Sequence, residues 1–332
     1  MISRNPQRLL TNRVLAIFAA ALLVFSISAC AVAAPPDPAR VVALKGPTGI
    51  GMAKMMADEN SPFSFTLAGS PDEIVAAIAS GSADIAAAPT NLAATLYNKL
   101  DGDVRLLALN TLGVLHILEN GDSIQSVSDL DGRTLALSGQ GAMPEYVTDY
   151  IIKQNSINVT LEYKAEHAEL ATLAAAGELD LVMLPEPFAT SLVTQNPSFR
   201  YALDVTALFS DAAASDSPDA ILSMGCVIAR ASFAEEHPDT IEAFINACAE
   251  SIAFAKDQPE ETARLTQQVG IMPSAEVVLK ALPGSNLTFI YGRELRQSVE
   301  PLYKVLFDAN PASIGGKMPG DDFYYNNNAD AE

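Results

Sequence analysis

Two stretches, "EIVAAIASGSADIAAAPTNLAATL" (residues 73–96) and "ELATLAAAGELDLVMLPEPFATSL" (residues 169–192), align without a gap at a constant offset of 96 residues. Glu73 falls on Glu169, Gly81 on Gly177, Asp84 on Asp180, Pro89 on Pro185 and Leu96 on Leu192. Each copy reads the same way physically. An alanine-rich amphipathic helix ends at a glycine suited to the left-handed position beyond a helix C-terminus. A short apolar strand begins around the aspartate, and a proline stops it and opens the next helix. Alanine bias alone could echo a helix. It does not explain glycine, aspartate and proline keeping one register.

The segments ahead of each copy correspond too. Residues 40–56, "RVVALKGPTGIGMAKMM", read strand, glycine loop, helix, and residues 132–154, "GRTLALSGQGAMPEYVTDYIIKQ", repeat that order. Strands alternating with helices predict parallel sheets covered on both faces. Between the copies, "VRLLALNTLGVLHILEN" (residues 104–120) reads as two strands with a crossing near Asn110–Thr111. A second crossing is expected near Met224–Gly225, in "ILSMGCVIARASF". The predicted architecture is therefore α/β: two similar lobes, each a mostly parallel sheet flanked by helices, joined by two hinge crossings. Residues 40–110 plus 225–332 would form lobe 1 and residues 111–224 lobe 2. The C-terminal third reads helical, as in "HPDTIEAFINACAESIAFAKD", before an irregular end.

The N-terminus speaks to location. Residues 1–13 carry Arg4, Arg8 and Arg13 and no acid, and residues 14–27 are uncharged and apolar. That apolar stretch is shorter than the roughly 20 residues a membrane helix needs, so it fits a secretory signal. "ISAC" then places small residues before Cys30, in the manner of a bacterial lipobox. Residues 1–29 are expected to be a lipoprotein signal peptide, Cys30 the lipidation site, and residues 30–39 a Pro-rich tether. The alternative is an uncleaved anchor with an incidental cysteine; either way the rest works outside the cytoplasm. Acidic residues outnumber basic ones 40 to 20 and no basic stripe exists, so nucleic acid is not an expected partner. Cys226 and Cys248 could pair in an oxidising compartment or be small buried side chains; the second reading is preferred.

"KGPTGIGMAK" (residues 45–54) looks at first like a phosphate loop. From Gly46 the second glycine falls correctly at Gly51, but Met52 stands where lysine is needed, and no hydroxyl follows Lys54 for magnesium. The dinucleotide pattern lacks its third glycine. What survives is a strand, a glycine turn and a helix start at the carboxyl edge of a sheet, where ligands sit in open α/β folds. Thr48 can cap the helix or donate a hydroxyl. "SGQGAM" (residues 138–143) is the matching loop, and the two are expected to face each other across a cleft; ordinary tight turns are the competing reading.

Catalytic patterns are missing. His116 lies in an apolar strand, His167 reads as part of a solvated helix face, and His237 precedes a proline at a helix start. None has a nucleophile or carboxylate at a recognisable spacing, and no metal-ligand spacing occurs. No catalytic residue, metal or cofactor is expected. Glu186 and Phe188 in "LPEPF" could receive a ligand amine and stack on it; equally, Glu186 could be a first-turn acid at a helix.

The chain resembles solute-binding lipoproteins of bacterial ABC importers, of the nitrate/sulfonate/thiamine-precursor type, with a periplasmic-binding-protein type II fold. The resemblance is carried by "ISAC", "LKGPTGIGMAKM", "SGSADIAAAPTN", "SVSDLDGRTLAL", "AAGELDLVMLPEPFAT" and "SFAEEHPDTIEAFI". It implies a two-lobed clamp that works as a monomer, with a small-molecule ligand, a membrane permease and a cytoplasmic ATPase as partners. Carried over, the ligand-contact positions would be Thr48, Gly49, Ile50, Thr90, Asn91, Ser138, Gly139, Gln140 and Glu186. Strong anions would need basic groups at the cleft, and only Lys45 and Arg230 are candidates; a neutral or zwitterionic molecule, polar or heterocyclic, is the expectation. The rivals are a cofactor- or pyrimidine-pathway enzyme on the same fold, although this chain lacks the Cys-rich segment of the pyrimidine-forming relatives, and a ligand-binding sensor component.

Overall fold

The computed structural model describes residues 38–325. The signal peptide, Cys30 and all but the last residues of the tether lie outside the described residues. The chain runs β1 (Ala39–Leu44), α1 (Pro47–Ile50), α2 (Ala53–Ala57), β2 (Phe63–Ala68), α3 (Pro71–Ala79), β3 (Ile85–Pro89), α4 (Thr90–Lys99), β4 (Arg105–Leu112) and β5 (Leu115–Asn120). It continues through β6 (Thr134–Ser138), α5 (Met143–Asn155), β7 (Thr160–Lys164), α6 (His167–Ala175), β8 (Leu181–Pro185), α7 (Phe188–Gln195), β9 (Phe199–Asp204) and α8 (Val205–Ala213). The last part holds β10 (Ser223–Ala229), α9 (Ala231–Glu236), α10 (Pro238–Asp257), α11 (Pro259–Gln268), α12 (Ala275–Ala281), β11 (Leu287–Tyr291) and α13 (Arg293–Ala309).

The repeat is visible in these bounds. Helices α3 and α6 have equal length and start 96 residues apart, and so do strands β3 and β8. Ile74 and Ile78 on α3 and Leu170 and Ala174 on α6 are spaced four apart and buried, which is the spacing that puts side chains on one helix face. Gly81 (φ 70°) and Gly177 (φ 80°) end them in the left-handed region, where a Cβ would be strained.

Two sheets result. The first has order β11-β4-β10-β3-β1-β2, the second β7-β6-β8-β5-β9. Strands β1, β2 and β3 pair in parallel, as do β6, β7 and β8. The remaining strands are antiparallel: β10 to β3 and β4, β11 to β4, and β5 to β8 and β9. Both sheets are thus mixed: in each, four strands run the same way, with β10 and β11 reversed in the first and β5 in the second. The reason is topological. Parallel pairing needs a covering helix between the strands. β5 and β10 instead arrive from the other sheet and enter from the opposite end.

The crossings also fall slightly elsewhere. β4 runs through Asn110 and Thr111 to Leu112, and only Gly113 and Val114 separate it from β5. Met224 and Gly225 lie inside β10, where Gly225 pairs with Thr111. A Cβ on Gly225 would stand 2.7 Å from Asn110 Oδ1 and 2.9 Å from Thr48 Oγ1. The glycine and asparagine therefore mark a close approach of two strands and a loop, with a register shift beside it, rather than the points where the chain crosses.

Cys226 and Cys248 are free and buried. Cys226 packs with Ile228 on one face of β10, whereas Cys248 packs in the cluster that holds Val227 and Ala229 from the other face. The sheet separates the two thiols. No helix among the described residues is long and apolar enough to cross a membrane.

Candidate functional site

Strands β3 and β8 end in prolines, and these ends face each other across a cavity of about 40 Å³. The lining comes from both copies of the repeat. Pro89 and Pro185 end the strands, and Pro71 and His167 are the first residues of α3 and α6, again 96 apart. Leu44, Lys45, Pro47 and Thr48 come from the first glycine loop, Gly139, Ala142, Met143 and Pro144 from the second, and Val114, Leu115 and Met224 from the strands near the crossings. The space holds a water or two rather than an organic molecule, so the lobes stand close together.

Direct bridges hold them there. Asn91 Nδ2 donates to the carbonyl of Gly141 (3.2 Å) across the cleft and to that of Ser313 (3.0 Å) on its own side. The ring of Phe188 lies against Gly46, whose φ of 104° only glycine adopts readily. Asn286 donates to the carbonyl of Gly113 at the first crossing.

The nine residues expected at the ligand divide into groups. Thr48 and Gly139 line the cavity. Gly49 and Ile50 are packed inside lobe 1: a Cβ on Gly49 would sit 2.8 Å from the Leu44 carbonyl, and Ile50 is fully buried. The glycine there serves close packing of loop on strand. Thr90 is buried, its hydroxyl 2.9 Å from that of Ser223 and its carbonyl accepting from Tyr303 (2.9 Å). Asn91 is the bridge already described, with its Oδ1 buried and unpartnered among the described residues. Gln140 is exposed at the rim. Glu186 is buried behind Pro185, and its carboxylate accepts from the backbone N–H of Thr190 (3.1 Å) in the first turn of α7 and from the hydroxyl of Tyr201 (2.7 Å).

Ser138 reaches the cavity through His167. Its hydroxyl hydrogen-bonds Nδ1 of the ring, and the ring lies 5.5 Å from that of Phe188. Burial pushes the pKa of His167 down to about 4, so the imidazole is neutral at physiological pH. The sequence placed His167 on a solvated face because Glu166, Glu169 and Lys164 surround it. The missed signal was its register: it stands where Pro71 stands in the first copy, and both are the first residue of a helix that starts at the cleft.

Of the two expected basic groups, Lys45 is at the cavity with an exposed side chain. Arg230 is not. It follows the end of β10 that pairs with the start of β3, the edge away from the cleft, and contacts Asp84 there (3.4 Å). His116 lies edge-on to Tyr201 (5.0 Å) and His237 beside Phe233 (4.7 Å), both outside the cavity. Among the described residues no cluster of His, Cys, Asp and Glu is suited to hold a metal.

Comparison with known proteins agrees with this geometry. An ABC transporter from Parabacteroides distasonis shares 22% identity and a TM-score of 0.71, covering 87% of this chain and 99% of its own. The alkanesulfonate-binding protein SsuA from Xanthomonas axonopodis pv. citri, bound to MOPS, shares 15% identity with a TM-score of 0.66, covering 86% and 96%. The periplasmic aliphatic sulphonate binding protein SsuA from Escherichia coli shares 16% identity with a TM-score of 0.65, covering 86% and 98%. The fold is that of type II periplasmic binding proteins. No curated protein matches the sequence. A family described as NMT1/THI5 like matches residues 66–262. That stretch is more than half of the chain and takes in both copies of the repeat and most of the cavity lining between them, so the protein belongs to the NMT1/THI5-like family.

Proposed function

We propose that this protein is the extracytoplasmic solute-binding component of an ABC importer. It captures a small molecule between its two lobes and presents the closed form to a membrane permease coupled to an ATPase. The observation that carries this reading is the cavity at the meeting of two equivalent strand ends, walled by both lobes and bridged by Asn91. A solute that touches both walls favours the closed form, whereas one gripping a single lobe has no preference between forms. The family membership and the names of the similar structures support the same role. Cys30 would carry the lipid that tethers the protein, as a monomer, to the membrane.

The enzyme reading has one apparent foothold, the Ser138–His167 pair. An imidazole with its pKa near 4 is a weak base toward a serine hydroxyl, since general-base catalysis works best with a pKa near the operating pH. A sensor role would use the same clamp with another membrane partner.

Native mass spectrometry of the chain purified without its signal peptide is the test. The expected result is a retained small molecule, released unchanged on denaturation, whose re-addition contracts the protein in solution scattering. A converted product, or no retained molecule, would overturn the reading. Labelled palmitate incorporated in the parent and absent in Cys30→Ala checks the anchor.

A further inference from the structure

Where β3 and β8 end and α3 and α6 begin, one lining position is matched across the lobes and one is not. Pro89 faces its counterpart Pro185, but Pro71 faces His167. Met143 and Met224 add further apolar wall, and no carboxylate or guanidinium lines the space. The imidazole is thus the one ring in the lining with hydrogen-bonding nitrogens. Its Nδ1 is held by Ser138, and Nε2 has no protein partner among the described residues.

Part of what an anion would need is already occupied in lobe 2. A strong anion in a dry cleft requires guanidinium groups or free backbone N–H groups at helix starts. In lobe 2 the protein's own carboxylates take one N–H at each of three such starts. Glu145 accepts from the N–H of Gly141 ahead of α5 (2.5 Å), Glu169 from that of Ala165 ahead of α6 (3.0 Å), and Glu186 from that of Thr190 in α7 (3.1 Å). Lys45 remains as a single exposed cation at the rim. Burying an anion between apolar walls and a neutral ring is unfavourable.

Resting on the solute-binding reading, we infer that the cleft takes an uncharged, largely apolar small molecule that presents one hydrogen-bonding edge to His167 Nε2, and that it rejects sulfonates and inorganic anions. Ser138 fixes which edge. If its hydroxyl donates to Nδ1, Nε2 carries the proton and reads an acceptor; if it accepts, Nε2 reads a donor.

The experiment titrates the signal-free chain with indole (donor edge), quinoline (acceptor edge), methanesulfonate and nitrate, by NMR at millimolar probe. One of the two neutral probes is expected to bind saturably and to shift resonances of both lobes. His167→Phe should weaken that binding about tenfold, the loss of one hydrogen bond, while His167→Gln keeps most of it. Ser138→Ala, which frees the ring to change tautomer, should narrow the preference between indole and quinoline and serves if His167→Phe does not fold. Saturable binding of methanesulfonate or nitrate, lost in Lys45→Ala, would overturn this inference and leave the clamp standing. So would neutral binding indifferent to both His167→Phe and Ser138→Ala. No binding by either class would remove the inference and leave the clamp to the native mass spectrometry described above.

Discussion

Asp84 and Asp180 hold the same place in the two copies, just before a central strand, and the structure treats them differently. Asp84 is buried and accepts from Arg40 Nη2 (2.6 Å), Nε (3.0 Å) and backbone N (2.9 Å), with Arg230 Nη2 at 3.4 Å. Burial by itself would raise its pKa; the hydrogen bonds from Arg40 and the charges of Arg40 and Arg230 outweigh it and hold the carboxyl below its ordinary 3.8. Asp180 is exposed and accepts from Asn120 Nδ2 (2.9 Å). Asp84→Asn is expected to cost about 2 kcal/mol at pH 7, less than a fully buried pair because Arg40 is half exposed, and Asp180→Asn within about 0.5 kcal/mol. The depressed pKa stabilises the fold above 3.8, so the Asp84→Asn penalty should shrink in urea denaturation as the pH falls below that value. His167 gives a second pH signature. Its folded pKa of about 4 lies under the ordinary 6.5, so the fold resists protonation that the unfolded chain accepts. Stability should be full above pH 6.5 and fall by about 2–3 kcal/mol between pH 6.5 and 4. His167→Gln should flatten that part of the denaturation profile. The aspartates were legible because a repeated residue keeps its register. His167 was not, because its sequence neighbours are charged while its ring turns away from them.

At the scale of elements, the repeat specified α3 with β3 and α6 with β8, because helix-stopping glycines and strand-stopping prolines mark their own positions. The crossings were harder to read. Glycine and asparagine signal that something unusual happens to the backbone, but close packing and a change of sheet leave the same mark. Gly113, the true crossing, has no room for a side chain: a Cβ would run into the side chain of Thr206 at the start of α8. Gly113→Ala is expected to destabilise the protein by about 1–3 kcal/mol through this overlap, read as a lower urea midpoint. Thr206→Ala in the same chain removes both the hydroxyl oxygen and the methyl carbon, the two atoms nearest that Cβ, and should restore part of the loss; an undiminished penalty would assign the strain elsewhere.

For the molecule as a whole, the balance between open and closed forms rests on few contacts. Moving such an equilibrium nearly completely takes roughly 5.5 kcal/mol of differential affinity, and a hydrogen bond like that from Asn91 to Gly141 supplies about 1 kcal/mol. Asn91→Ala should therefore open the unliganded protein measurably, seen as a larger radius of gyration in scattering, while leaving the sheets' circular dichroism unchanged. An unchanged radius would mean that other contacts hold the lobes. The two-lobed plan was legible because its two halves are variations on one text. The polarity of the cleft was not, since it depends on which loops meet in space and on which N–H groups the glutamates occupy.

The sheet that keeps Cys226 and Cys248 apart also makes this protein convenient to watch at work. Both thiols are fully buried, and burial pushes their pKa upward, that of Cys248 to about 12, so neither reacts readily with alkylating dyes. A chain beginning at Ala31 could take fluorophores at Asp72→Cys and Ala168→Cys, exposed sites at equivalent points of the two lobes, with its native thiols left in place. Energy transfer between the dyes would then report each opening and closing of single molecules in real time.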